Sequence, residues 1–177
     1  MANLVRIHFA PQLSLYLYIK ILMINDILYN PEHSYYGRIK NIALGFLVMV
    51  VWNYIILHLL NYIQPPEPPS IFDGPPDTAI WLLFFCVISA PLWEEVVFRW
   101  FPLYCTKTLA KEYKIPIILA TSAIFGYLHG GPEHVWIQGV AGLIFACVYI
   151  KNGYHYWSSV ILHAVWNYMV CFGFHSL

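Results

Sequence analysis

The sequence predicts an all-α fold, a polytopic membrane helix bundle of five to six helices. Three observations lead there. The 177 residues are 60% hydrophobic and only 10% charged, whereas a soluble domain carries about 25% charged residues. Apolar runs that approach the ~20 residues needed to cross a bilayer recur along the chain. The charges between those runs segregate by sign.

Taken in chain order, residues 13–28 are apolar but hold Lys20 and end at Asp26. They read as a helix in the interface plane, with Lys20 snorkelling and Tyr16 and Tyr18 at headgroup level. Lys20 also interrupts any signal-peptide core, and no small-residue cleavage site follows. The first span is 42–63, free of Asp, Glu, Lys and Arg. Residues 64–77 form a proline-rich linker with acidic charges only, extended rather than helical. The linker separates an N-terminal part, 1–77, from a core, 78–177.

Within that core the second span is 79–101, the third 115–128, the fourth 135–150 and the fifth 157–174. The third and fourth are short, and need tilt, bilayer thinning or burial within the bundle. Arg38 and Lys40 precede the first span, Lys107, Lys111 and Lys114 lie between the second and third, and Lys151 follows the fourth. Glu67, Asp73, Asp77 and Glu133 occupy the opposite connections, which have no Lys or Arg. The positive-inside rule puts the loop with Lys107 and Lys114, and Lys151, in the cytoplasm of a multi-pass protein. The basic residues are scattered and balanced by equal numbers of acids, which argues against nucleic acid as a partner. Cys86, Cys105, Cys147 and Cys171 lie singly in apolar surroundings, without a CxxC, and read as buried inert thiols.

Polar residues inside these spans carry the functional signal. Glu94, Glu95 and Arg99 sit in an apolar run, where each charge costs roughly 2.5–3.5 kcal/mol at a helix centre. Arg99 is four residues beyond Glu95, so the two can pair on one face. Glu94, about 100° around the helix, is left to meet another neighbour. A Glu–Arg pair that merely fixes packing needs one glutamate, and there are two. His129 closes the third span, after Gly126, which leaves room for a second helix to approach. His163 and Asn167 share one face of the fifth span, one turn apart. A bland reading makes His129 interfacial and the His163–Asn167 pair an interhelical hydrogen bond. His58 reads as a hydrogen-bonded packing histidine. No GxSxG elbow accompanies Ser89, Ser158 or Ser159, and no HExxH occurs, so the common serine-hydrolase and zincin signatures are missing.

A glutamate and a histidine can hold a water and remove its proton, while a second histidine with an asparagine donates to a developing oxyanion. That set hydrolyses an amide without a covalent intermediate. Glu94, His129 and His163 are equally a set of metal-ligand types, for a divalent ion such as zinc. The residue types do not decide between the two.

The order Glu94-Glu95-Val-Val-Phe-Arg99, then Phe125 to His129, then His163 to Asn167, on successive apolar helices, resembles the CAAX protease and bacteriocin-processing (CPBP, or Abi) family of intramembrane endopeptidases. The resemblance covers about 78–172. It implies Glu94 as the water-activating base with His129 as its partner, His163 and Asn167 as the oxyanion site, and Glu95 and Arg99 as support. It also implies a peptide or protein substrate, lipidated or not, and the lipid bilayer as surroundings. A catalytically silent regulator or bacteriocin-immunity protein of the same fold is the alternative. One geometric condition attaches to the catalytic reading. At 1.5 Å per residue, straight helices spread Glu94, His129 and His163 by about 10–15 Å in depth. A shared site then requires Pro91 to kink the second span, or 100–114 to lie partly within the membrane.

Overall fold

The computed structural model describes residues 33–63, 80–81, 83–106 and 111–173. The interfacial helix expected over 13–28, the proline linker over 64–77 and Lys107 lie outside the described residues. Every regular element among those described is helical.

Helix α1 spans Tyr35–Ile63. It starts seven residues before the expected 42, because Ser34 caps it: the Gly37 N–H donates to Ser34 Oγ at 3.0 Å. Arg38 and Lys40 therefore lie on its first turns. The second span is not a plain α-helix. A π run over Leu83–Ser89 leads into α2, Ala90–Glu95, and a second π run over Val96–Trp100 leads into α3, Phe101–Cys105. Each π run is followed by a proline within two residues, Pro91 and Pro102. Proline has no N–H to give and its ring crowds the carbonyl four residues back, so the chain widens before it. A π turn holds more residues than an α turn and advances less per residue, so Glu94 sits less deep than a straight α count places it.

Helix α4 spans Lys111–Leu128, with Pro116 inside, and α5 spans His134–Lys151. Both are longer than the expected 115–128 and 135–150. Their tight turn depends on Gly131, whose φ of 102° suits glycine and whose N–H closes onto the Tyr127 carbonyl at 2.8 Å. Gly126 lies against Gly139 of α5: a Cβ there would stand 2.6 Å from the Gly139 backbone nitrogen. This is the close approach that Gly126 leads one to expect. Helix α6, Tyr156–Tyr168, continues into a π run over Met169–Gly173. Tyr156 ties its start to the second span by donating to the Leu92 carbonyl at 2.6 Å.

One apolar cluster joins Leu103, Ile118, Ala146, Tyr149 and Ile150 between α3, α4 and α5. A second joins Met49, Phe125, Phe145, Val148 and Leu162, with α1 and α6 closing over it. The outside is apolar as well: Leu47, Val51, Ile55, Trp93 and Trp136 are exposed, while Glu95, Arg99, Ser159 and His163 are buried. That inversion suits hydrocarbon, where internal polar groups must satisfy one another. Helix α1 over Tyr35–Ile56 and α5 are long and apolar enough to cross a membrane, and the apolar stretch Tyr113–Leu128 is shorter.

Candidate active site

Glu94 and Glu95 end α2, between the two π runs. Adjacent positions on a helix point about 100° apart, and the two carboxylates accordingly have different surroundings. Glu95 is 0% exposed. Its Oε1 lies 3.1 Å from the Arg99 guanidinium, the pair expected from the four-residue spacing. The same Oε1 accepts a hydrogen bond from His163 Nδ1 at 2.9 Å. Sequence reasoning assigned Glu95 to Arg99 alone and missed this contact, because residues 68 apart offer no periodicity to read.

Arg99 is 1% exposed and boxed by aromatic faces. Its guanidinium carbon is 4.1 Å from the Phe125 ring centroid and 5.1 Å from that of Phe145. Cation–π attraction partly replaces the water that this charge has lost. Gly142 makes the space: a Cβ there would meet Arg99 Nη2 at 2.8 Å and Phe125 at 2.9 Å. Phe145 also stacks on His163, with centroids 4.5 Å apart and planes at 21°, and Phe125 meets the His163 ring edge-on. Phe125 opens the motif that ends at His129 but carried no role of its own, and Phe145 was hidden in a chain with 18% aromatic residues.

Glu94 faces the other way, with its side chain 27% exposed and its Oε2 buried without a hydrogen-bond partner. His163 Nε2 lies 3.6 Å from that oxygen and His129 Nε2 3.8 Å. The depth condition is met, and the three side chains share one site. Both imidazoles are held at their other nitrogen. His129 Nδ1 is 2.7 Å from the Phe125 carbonyl and His163 Nδ1 2.9 Å from the Glu95 carboxylate. Carbonyl oxygens only accept, so His129 Nδ1 carries a proton, and the ionised Glu95 beside Arg99 selects the same tautomer at His163. In the neutral rings, both Nε2 atoms, each the acceptor of its ring, then lie near Glu94 Oε2. Both nitrogens stand just beyond direct hydrogen-bond reach of that oxygen.

These atoms line a largely apolar cavity of about 470 Å³, walled by α1, the second span, α4, α5 and α6. Asn167, Asn53 and Gln138 are its other polar groups. Asn167 is thus beside the site, but its Nδ2 donates to the Cys86 carbonyl at 2.8 Å. Gln138 is held by His134, whose Nδ1 is 2.8 Å from its Oε1. His58, expected to pack internally, is exposed and stacks on Tyr54. The cysteines form no disulfide, and Cys105 is exposed rather than buried.

The nitrogens of His129 and His163 and the Glu94 oxygen are metal-ligand types with oriented imidazoles. Among the described residues, however, no three His, Cys, Asp or Glu side chains are disposed to share one ion. The set expected for a metal-dependent site, Glu94, His129 and His163, is thus not such a group, although Glu94 Oε2 lies 3.6 and 3.8 Å from the two Nε2 atoms.

The family model of type II CAAX prenyl endopeptidase Rce1-like proteins matches residues 76–169, a stretch that holds all three sequence motifs. No curated protein and no solved structure matches the chain.

Proposed function

The chain belongs to the Rce1-like family of type II CAAX prenyl endopeptidases, and on that premise we propose that it is a multi-pass intramembrane endopeptidase in which Glu94 activates the attacking water. The observation that carries the reading is the approach of two Nε2 atoms to the unpartnered Glu94 Oε2, at 3.6 and 3.8 Å. Acceptors so arranged are joined by a molecule with two hydrogens to give. A water donates one to Glu94 and the other to a histidine, and its own lone pair is left for the substrate carbonyl.

Glu94 takes the proton as the water oxygen bonds to the scissile carbon and the carbonyl electron pair moves onto oxygen. Collapse of that intermediate breaks the C–N bond, and the proton passes to the leaving amine. The products are a carboxylate and an amine. Glu95 keeps His163 in the tautomer whose Nε2 faces the site, the part a carboxylate plays behind a catalytic histidine. Phe145 and Phe125 fix the plane of that ring. The apolar walls suit a substrate segment entering from the bilayer, lipidated or not.

The ends of the bundle support a topology. Asn152 after α5 donates to the Arg38 carbonyl on α1, and Lys114 on α4 reaches Tyr154. Arg38, Lys114 and Lys151 thus gather at one end, with Glu133 at the opposite turn, and the basic end is the cytoplasmic one. The test is cleavage of a panel of lipidated and unlipidated peptides by the protein in liposomes, with products identified by mass. Cleavage by wild type that is absent with Glu94→Gln supports the reading; no cleavage of any peptide by wild type opposes it. A function that survives in the Glu94→Gln variant would instead mark a catalytically silent regulator.

A further inference from the structure

The second span contains a carbonyl that its own π pattern leaves without a donor. In a π run each carbonyl takes the N–H five residues on. Five residues beyond Cys86 is Pro91, which has none, and the run stops at Ser89. The donor comes from another helix: Asn167 Nδ2, 2.8 Å from Cys86 O. Asn167 lies one turn beyond His163 on α6. The same helix therefore grips the second span at Cys86 through Asn167, at Leu92 through Tyr156 and at Glu95 through His163. Between Cys86 and Glu95 lie the proline and Glu94.

We propose that Asn167 is a positioning residue: its amide replaces the backbone hydrogen bond that Pro91 removes, and so sets the depth and rotation at which Glu94 meets His129 and His163. An unpaired carbonyl is costly away from water, so without Asn167 the wide turn loses its stability relative to an α turn. Rewinding to α would turn Glu94 away from the two imidazoles. The effect on cleavage rests on the endopeptidase reading above; the effect on the fold does not. Asn167 also borders the cavity, so the competing role is direct donation to the oxyanion, which owes nothing to Pro91.

A double-mutant cycle separates the two roles. Wild type, Asn167→Ala, Pro91→Ala and the double variant are compared for kcat, KM and thermal unfolding in detergent. Alanine at 91 restores a backbone N–H to the turn. Asn167→Ala alone is expected to lower kcat on the order of ten- to a hundredfold, with KM little changed, and to lower Tm. In the Pro91→Ala background the same substitution is expected to change neither. An equal fall in kcat in both backgrounds overturns the proposal in favour of an oxyanion donor, as does an unchanged Tm in the single variant. Should wild type cleave nothing, the function fails while the Tm cycle still tests the hydrogen bond. If Pro91→Ala does not fold, infrared spectra of carbonyl-13C-cysteine protein decide. Asn167→Ala is expected to move one cysteine carbonyl band to higher frequency, and no movement overturns the proposal.

Discussion

Glu95 Oε1 and His163 Nδ1 meet at 2.9 Å, both sealed from solvent, and the same oxygen meets Arg99 at 3.1 Å. One carboxylate thus joins the packing of the second span to the tautomer of a site histidine. That leaves Glu94 as the acid proposed to activate water.

Arg99 and Glu95 should behave as a unit. Removing either partner of a buried pair strands the other and costs about 3–5 kcal/mol. Glu95→Gln or Arg99→Met alone should each lower stability by roughly that amount, and the double variant by clearly less than the sum. Chemical or thermal unfolding in detergent measures it. Additive losses would mean that the ion pair is not the organising contact. Arg99→Lys should not substitute, because a lysine lacks the planar face that lies against Phe125.

The two histidines should differ in kind. His163 is buried between Phe125 and Phe145, whereas the side chain of His129 is 33% exposed. His129→Ala should leave unfolding almost unchanged while lowering cleavage by about 10²-fold or more. His163→Ala should lower both. Circular dichroism melts run beside activity assays separate the effects; a well-folded, active His129→Ala protein would remove His129 from the mechanism.

Helix α4 can approach α5 only because of Gly126. A Cβ there meets backbone at 2.6 and 2.7 Å, which cannot move aside, whereas at Gly142 it meets the side chains of Arg99 and Phe125. Gly126→Ala should therefore compromise folding outright. Gly142→Ala should fold with Arg99 displaced and activity reduced. Yield of monodisperse protein and its melting curve check the first, and cleavage rates the second.

Water activation by Glu94 with two histidines predicts that chelators leave cleavage intact. Dialysis against EDTA or phenanthroline, followed by the peptide assay, tests this. Loss of activity that zinc restores would replace the mechanism with a metal-assisted one.

The sequence made Glu94, Arg99, His129 and His163 legible for one physical reason: a polar residue in a hydrocarbon-like run has to be answered by another. Spacing revealed Glu95–Arg99, because helix geometry relates positions four apart. It could not reveal Glu95–His163 or Asn167–Cys86, which join different helices. Helices run past the apolar spans where a local bond extends them, as Ser34 does for α1. The π runs had a readable signal, Pro91 inside the second span and Pro102 just past its end, but expectation stopped at a kink.

The most direct test of the central claim is the single-turnover cleavage rate of Glu94→Gln against wild type in liposomes, with both proteins shown to have the same melting temperature. Glutamine keeps the shape and cannot take the water's proton. The account predicts a fall of about 10²- to 10⁴-fold with substrate binding retained. A Glu94→Gln protein that cleaves at the wild-type rate would contradict it.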